Sequence, residues 1–276
     1  MRKLLIGLVM VIAIGYLSAM GVLYFFQRSF QYHPDKNIKE VSAYDLPSTQ
    51  DLMIKSVVDG ASVQVWYHEP TRPGMPMVLF LHGNAGTLGY RAPKFKELID
   101  MGFGFAAPAY HGFSKSEGKP TAETIFSDVI TTIDFLKDKG FEAKNIIIVG
   151  ESLGTGIAVE MAAKQQFAGV FLITPYTSIA NRAQEMYWYF PIKSLVKDNF
   201  SSEDKIDKIN APLLIVHGTN DTVIPHSHAE RLIELAREPK KIIIYPGFGH
   251  SNLDNATIFH EMKKYFIDEQ KIGNQQ

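Results

Sequence analysis

The chain has 276 residues, 46% hydrophobic and 21% charged, which allows one large domain or two small ones with a sizeable core and argues against global disorder. A formal net charge of −1 leaves no basic excess to drive binding to nucleic acid or to acidic surfaces. The absence of cysteine excludes disulfides, thiolate catalysis and Cys-based zinc sites.

The N-terminus differs from the rest. Arg2 and Lys3 precede an uncharged stretch from Leu4 to Phe26, and the next charge is Arg28. A helix needs about 20 apolar residues to cross a bilayer, whereas a cleaved signal peptide has a shorter apolar region of about 7–15. Ser18-Ala19-Met20-Gly21 is a poor cleavage site, and no face of the stretch is polar, so residues 4–26 are expected to be an uncleaved membrane anchor. Tyr24 suits the membrane interface. Arg2, Lys3 and the amino terminus outweigh the mixed charges of Arg28, Asp35, Lys36, Lys39 and Glu40 by a narrow margin. The positive-inside rule therefore puts the N-terminus in the cytoplasm and the rest of the chain in a periplasm or lumen. The expected organisation is a cytoplasmic tip and anchor over 1–28, a polar connector over 29–50, a main domain over 51–270 and a short tail over 271–276.

The elements then alternate. Met53–Val57 and Ser62–Tyr67 flank Asp59-Gly60, a strong hairpin signal. Met77–Leu81 is a short apolar run ending in His82-Gly83-Asn84. Arg91–Met101 reads as helix, Gly104–Pro108 as strand and Ala122–Lys139 as helix. Asn145–Val149 is a β-branched strand running into Gly150, and Ser152–Lys164 is helical. Gly169–Ile173 and Pro212–Val216 are strands, Ser227–Arg237 a helix, Lys241–Tyr245 a strand and Ala256–Phe266 a last helix. Strands alternating with helices imply crossover units around a mostly parallel sheet, with helices on both faces and the leading hairpin adding an antiparallel edge. Continuous apolar runs fit strands buried on both sides. Ligands bind such sheets outside the carboxyl ends of the strands.

Polar residues collect at those ends. Gly150-Glu151-Ser152-Leu153-Gly154 fits G-x-S-x-G with a strand before it and a helix after it, the context that exposes a serine on a strained turn. A serine hydroxyl needs a base, and His250 lies in a loop after the strand ending at Tyr245. Asp221, just after another strand, suits the role of orienting the imidazole. The order Ser152, Asp221, His250 is the one that accompanies a G-x-S-x-G serine on such a strand–turn–helix in this type of fold. Of the rivals, Asp198 and Asp204 follow no clear strand. His226 and His228 are expected at an exposed helix start rather than a metal site, and His82 is expected to support a turn. The pattern calls for no metal and no cofactor. An oxyanion hole needs two backbone N–H groups, expected from Leu153 and from Asn84, with Ala85 as the alternative to Asn84.

Together Leu81–Gly86, Gly112–Gly118, Gly150–Gly154, His217–Asp221 and Gly249-His250 resemble the α/β-hydrolase superfamily. The nearest group is the single-pass, membrane-anchored abhydrolase-domain serine hydrolases, often called lysophospholipase-like. The resemblance covers roughly residues 50–270. It implies the α/β-hydrolase fold, a Ser152–Asp221–His250 triad and an Asn84/Leu153 oxyanion hole. Relatives commonly have an Asp-Tyr-Arg-Gly-Tyr-Gly-like loop where this chain reads Ala109-Tyr110-His111-Gly112-Phe113-Ser114, a change expected to alter loop packing or the substrate mouth. Serine at position 152 argues against the dehalogenase and epoxide chemistry of relatives with an aspartate nucleophile.

An insertion over 175–211 carries Tyr176, Met186, Tyr187, Trp188, Tyr189 and Phe190. It reads equally as a lid that binds acyl chains and as a helix packed on the sheet. Tyr110, Tyr187, Trp188 and Phe248 are the expected substrate contacts. The expected reaction is hydrolysis of a carboxylic ester of a lipid or other acylated substrate through an acyl-enzyme. A thioesterase or peptidase on the same triad, and a non-catalytic anchored binding protein, are the alternatives. Of three N-x-S/T sequons, the one at Asn220 overlaps Asp221, and all three read as chance.

Overall fold

In the computed structural model, which describes residues 1–273, the uncharged N-terminal stretch forms one long helix, α1 (Arg2–Gln31), with no buried residue. It runs past the expected end of the anchor. The chain then leaves through a two-residue strand, β1 (His33–Pro34), and enters the hairpin β2 (Gln50–Lys55) and β3 (Ser62–His68). Next come β4 (Met77–Leu81), the short β5 (Ala85–Gly86), α2 (Ala92–Met101) and β6 (Gly104–Pro108). The remaining elements are α3 (Ala122–Asp138), β7 (Ile146–Glu151), α4 (Leu153–Lys164), β8 (Gly169–Ile173), α5 (Ile179–Met186), β9 (Leu213–Gly218), α6 (Ser227–Leu235), β10 (Lys240–Tyr245) and α7 (Asn255–Lys263).

Eight strands form one sheet in the order β10-β9-β8-β7-β4-β6-β3-β2. The β2–β3 and β3–β6 pairs are antiparallel and all the others parallel. Every residue of β4, β6, β8 and β9 is buried, because helices cover both faces of the sheet. Each fully buried Val, Ile, Leu or Phe contributes about 1.5–3 kcal/mol relative to exposure. α3 begins at a reciprocal cap between Thr121 and Thr124, and Gly102 (φ +92°) ends α2 in the left-handed conformation.

The strand order positions the site. After β4 the chain crosses to β6 on one side of it, then returns to β7 on the other. The carboxyl ends of β4 and β7 are therefore neighbours, with Leu81 opposite Gly150, at the point where the winding of the sheet reverses. Crevices form at such points, because consecutive connections leave in opposite directions. The loop after β4 is held from outside the sheet as well. β1 pairs with β5, and the His33 N–H donates to the Asn84 carbonyl (2.8 Å). The expected polar connector is thus tied to the edge of this crevice.

Candidate active site

Ser152 sits between β7 and α4 with φ 52° and ψ −117°, a region that costs a non-glycine residue about 1–3 kcal/mol. Its backbone holds the turn in place. Its N–H donates to the Ile173 carbonyl (3.0 Å), and its carbonyl accepts from the Thr155 N–H (2.9 Å) and hydroxyl (2.6 Å). The flanking glycines have a steric reason. A Cβ on Gly150 would lie 2.5 Å from the Gly154 carbonyl oxygen, and one on Gly154 only 2.1 Å from the Leu81 oxygen. Helix α4 can cross the ends of β7 and β4 this closely only without those side chains.

Asp221 follows β9 on a turn that surrounds its carboxylate. Oδ1 accepts from the Val223 (2.9 Å) and Ile224 (2.8 Å) amides; Oδ2 accepts from His250 Nδ1 (2.7 Å) and His217 Nε2 (3.1 Å). Burial pushes this carboxyl up, but the bonds from His217, His250 and the Ile224 amide more than offset it and hold the group well below the usual carboxylate range. An ionised carboxylate only accepts, so Nδ1 of His250 carries the proton that faces Asp221. Nε2 is then free to accept from the Ser152 hydroxyl, 2.9 Å away. Ser152, His250 and Asp221 thus form one continuous hydrogen-bonded chain across 98 and then 29 residues of sequence separation.

The two loops carrying Asp221 and His250 are locked together by one backbone–backbone bond and one backbone–side-chain bond. The Asn220 N–H donates to the Phe248 carbonyl (2.8 Å) and the Gly247 N–H to the Thr219 hydroxyl (2.9 Å). A Cβ on Gly218 would lie 2.2 Å from that same Phe248 oxygen. His217, fully buried in β9, divides its Nε2–H between Asp221 and the Ile224 carbonyl (2.8 Å) and so fixes the acid from behind. A histidine inside an apolar strand gives no sign of this role in the sequence.

Ser152 opens into a cavity of about 270 Å³, with Asn84 and Leu153 beside it. Among the described residues, neither the Asn84 nor the Leu153 backbone N–H donates a hydrogen bond, so both are free to face an oxygen at this end of the cavity. The loop around Asn84 is held from two sides: its side-chain amide donates to the Gln31 carbonyl (3.0 Å), and Arg91 donates to the Ala85 carbonyl (2.6 Å). Beneath it lie His82, buried, and Glu151. Burial pushes the Glu151 carboxyl up, but Lys94 (2.7 Å) and Arg91 outweigh this and hold it below the usual range.

The family described as "Serine aminopeptidase, S33" matches residues 75–205 and 192–256. An uncharacterized protein of Mycobacterium tuberculosis is 29% identical over 271 residues, covering 95% of this chain and 96% of that one. Human alpha/beta hydrolase domain-containing protein 17B is 33% identical over 200 residues, covering 71% and 67%. The zebrafish lysophosphatidylserine lipase ABHD12 is 30% identical over 197 residues, covering 64% of this chain and 51% of its own length. Among solved structures, a Pyrococcus furiosus esterase matches with TM-score 0.67 at 19% identity, covering 86% of this chain and 98% of its own. The Butyrivibrio proteoclasticus esterase Est1E with ferulic acid bound matches with TM-score 0.66 at 19% identity, covering 80% and 99%. The chain belongs to the α/β hydrolases.

In this hydrolase the expected substrate contacts divide. Tyr187 lines the cavity. Tyr110 does not: it is fully buried, stacked on His82 with ring centroids 4.0 Å apart, and its hydroxyl donates to the His82 carbonyl (3.0 Å). Phe248 also lies away from the cavity, edge-on to Tyr245, and its part is the carbonyl that braces the acid loop. Trp188 is 77% exposed on the outer side of the insertion. The departing loop at 109–114 packs inward, with His111 held by Asp128 (2.6 Å), and so forms no part of the cavity mouth. Asp198 is buried but bonded to Arg28 (2.8 Å) and Tyr32 (3.0 Å), and the carboxylate on His250 is that of Asp221. Asp204 accepts from Ser201 (2.6 Å). His228 is buried on Thr177 (2.9 Å) rather than exposed; His226 lies near Glu230 (3.8 Å).

The insertion, which contains α5, forms one wall of the cavity through Tyr176, Ile179, Met186, Ile192 and Leu195. The opposite wall was not expected: Leu23, Tyr24, Gln27, Phe30 and Gln31 all belong to α1. The one sequence signal for this is the polar set Gln27, Arg28 and Gln31 at the end of an apolar helix, with Gln31 one turn beyond the adjacent Gln27 and Arg28.

Proposed function

We propose that this α/β hydrolase cleaves a carboxylic ester of a lipid-like, acylated substrate through an acyl-enzyme on Ser152. The observation that carries this reading is the Asp221–His250–Ser152 chain of hydrogen bonds ending at the floor of an apolar cavity. Ser152 Oγ attacks the ester carbonyl carbon as its proton passes to His250 Nε2. Asp221 stabilises the imidazolium by charge and holds its orientation. The amides of Leu153 and Asn84 receive the negative charge that develops on the carbonyl oxygen. The C–O bond of the leaving alcohol then breaks, and His250 gives that oxygen its proton. Water, deprotonated by the same nitrogen, attacks the acyl carbon and releases the acid and the free serine.

The lining favours an acyl chain over a peptide N-terminus. Holding a free ammonium calls for a carboxylate, and no Asp or Glu lines the cavity among the described residues; its one charged residue is Arg182. The lipase and esterases among the similar proteins agree with ester chemistry. A helix apolar enough to cross a membrane also suits a substrate of this kind, with Arg2 and Lys3 on the cytoplasmic side and the site beyond the bilayer. The decisive test is Ser152→Ala. It is expected to abolish both labelling by a fluorophosphonate probe and turnover of short p-nitrophenyl esters, and unchanged turnover refutes the reading. A matched panel of ester, thioester and amide substrates then separates ester hydrolysis from thioesterase and peptidase activity.

A further inference from the structure

α1 and the insertion meet along more of the helix than a tether requires. At the charged end, Gln27 bridges the Leu195 carbonyl (3.1 Å) and the Lys197 N–H (2.7 Å), and Arg28 pairs with Asp198. Much nearer the N-terminus, the Tyr16 hydroxyl donates to the Tyr189 carbonyl (2.9 Å), and the Tyr16 and Phe190 rings lie 4.8 Å apart. Tyr16 and Arg28 are about 18 Å apart along the axis at the α-helical rise. The insertion therefore runs down the helix into the stretch whose mean hydropathy is 2.3.

If α1 spans a hydrocarbon core of about 30 Å, Tyr16 lies roughly 10–15 Å below its surface on the domain side. The part of the insertion beside Tyr16 has the composition that depth demands. Met186-Tyr187-Trp188-Tyr189-Phe190-Pro191-Ile192 carries no charge, and Met186, Trp188 and Tyr189 are 54%, 77% and 52% exposed. Each of the three presents half or more of its surface outward, and Met186 also lines the cavity. The cavity follows the same course. From Gln31, level with Asn84, to Leu23 it extends about 12 Å along α1, away from Ser152 and towards the apolar stretch.

We propose that Met186–Phe190 is embedded in the same leaflet as α1, and that the cavity between them takes the acyl chain of a membrane amphiphile sideways from that leaflet. The occupant is leaflet hydrocarbon, and α1 is a wall of the binding site as well as an anchor. The delivery of the ester to Ser152 rests on the reaction proposed above; the embedding of the insertion does not.

Tryptophan makes the two separable. The chain has two: Trp66, fully buried against Phe95, and Trp188. The full-length Ser152→Ala protein is reconstituted in phosphatidylcholine vesicles brominated on the acyl chains. Trp188 emission, taken as the difference between this protein and its Trp188→Phe variant, is expected to fall by at least half relative to unbrominated vesicles, with little quenching by aqueous iodide. Quenching by iodide without quenching by bromolipid overturns the proposal, whatever Ser152 does. The second arm uses Trp188→Glu in the active protein. Hydrolysis of a long-chain ester embedded in vesicles is expected to drop at least tenfold, while turnover of soluble p-nitrophenyl butyrate is unchanged. Equal rates on the vesicle substrate overturn the lateral route.

Discussion

Acid should weaken the loop that carries Asn84, through His82. This imidazole is 2% exposed. Its Nδ1–H donates to the Gly83 carbonyl (2.7 Å), and its Nε2 accepts from the Tyr110 N–H (3.4 Å), so the ring is seated as the neutral tautomer. Burial, helped by the Arg91 charge, pushes its pKa down to about 3. In the unfolded chain the same group titrates near 6.5. Between those values the unfolded state binds the extra proton, so stability falls as pH falls, beginning near 6.5. From pH 7 to pH 5 the loss is about 1.4 pK units, or about 2 kcal/mol, equivalent to about 4–8 °C in Tm for a domain of this size. His82→Gln removes the titration. It should cost about 1–3 kcal/mol at pH 7 through lost buried bonds, with the gap to wild type shrinking by about 2 kcal/mol at pH 5. His111 supplies a control of opposite sign. Its hydrogen bond to Asp128 raises its pKa, so its contribution is fully present below the unfolded value and is lost as pH rises through the folded one. The gap between wild type and His111→Gln should therefore narrow on the alkaline side. The assay is thermal unfolding of the three full-length proteins in detergent from pH 5 to 9. Curves for His82→Gln and wild type that run parallel from pH 7 to 5 would refute the reasoning.

Asp221→Asn leaves the cavity intact but removes the charge that fixes the His250 tautomer. Turnover of a soluble ester should fall by about 10³–10⁴-fold with KM little changed, measured by initial rates. Gly154→Ala would force a Cβ to 2.1 Å from the Leu81 oxygen, between two backbones that cannot yield. It should destabilise by about 3 kcal/mol or more in a denaturant series, whereas Gly7→Ala, with nothing within 4 Å, should be neutral. In inside-out membrane vesicles, where the cytoplasmic face is outermost, the main domain should resist added protease; ready digestion there would reverse the proposed orientation.

The parts of the site set by backbone geometry were legible in the sequence. A run such as Ile146–Val149 followed by G-x-S-x-G reads as strand, sharp turn and helix because each glycine answers a specific close contact. Asp221 and His250 could be found because each follows a strand, and strand ends converge at one edge of a parallel sheet. What failed depended on side-chain direction. Tyr110 follows a strand too, yet it points under the loop onto His82, and a residue's place in the chain order does not say which way it turns. His217 was hidden because its value lies in a partner four residues on, reached only after the turn has formed.

The role of α1 was hidden for a different reason. Its apolar stretch shows no polar face, and a buried or lipid-bound helix is recognised by that uniformity. A helix with hydrocarbon on one side and an apolar cavity on the other needs apolar residues on both. The pattern that marks a tether is then the same pattern a binding wall requires, and hydropathy cannot separate them. The distinction has to come from polar groups that find partners in the domain. Here these are the Tyr16 hydroxyl on Tyr189, Gln27 on Leu195 and Lys197, and Arg28 on Asp198. A tether has no need to spend a tyrosine hydroxyl in mid-stretch on a distant carbonyl. In hydrocarbon, a hydroxyl without a partner costs several kcal/mol, so in the leaflet position proposed for α1 this bond would favour an insertion that stays beside the helix.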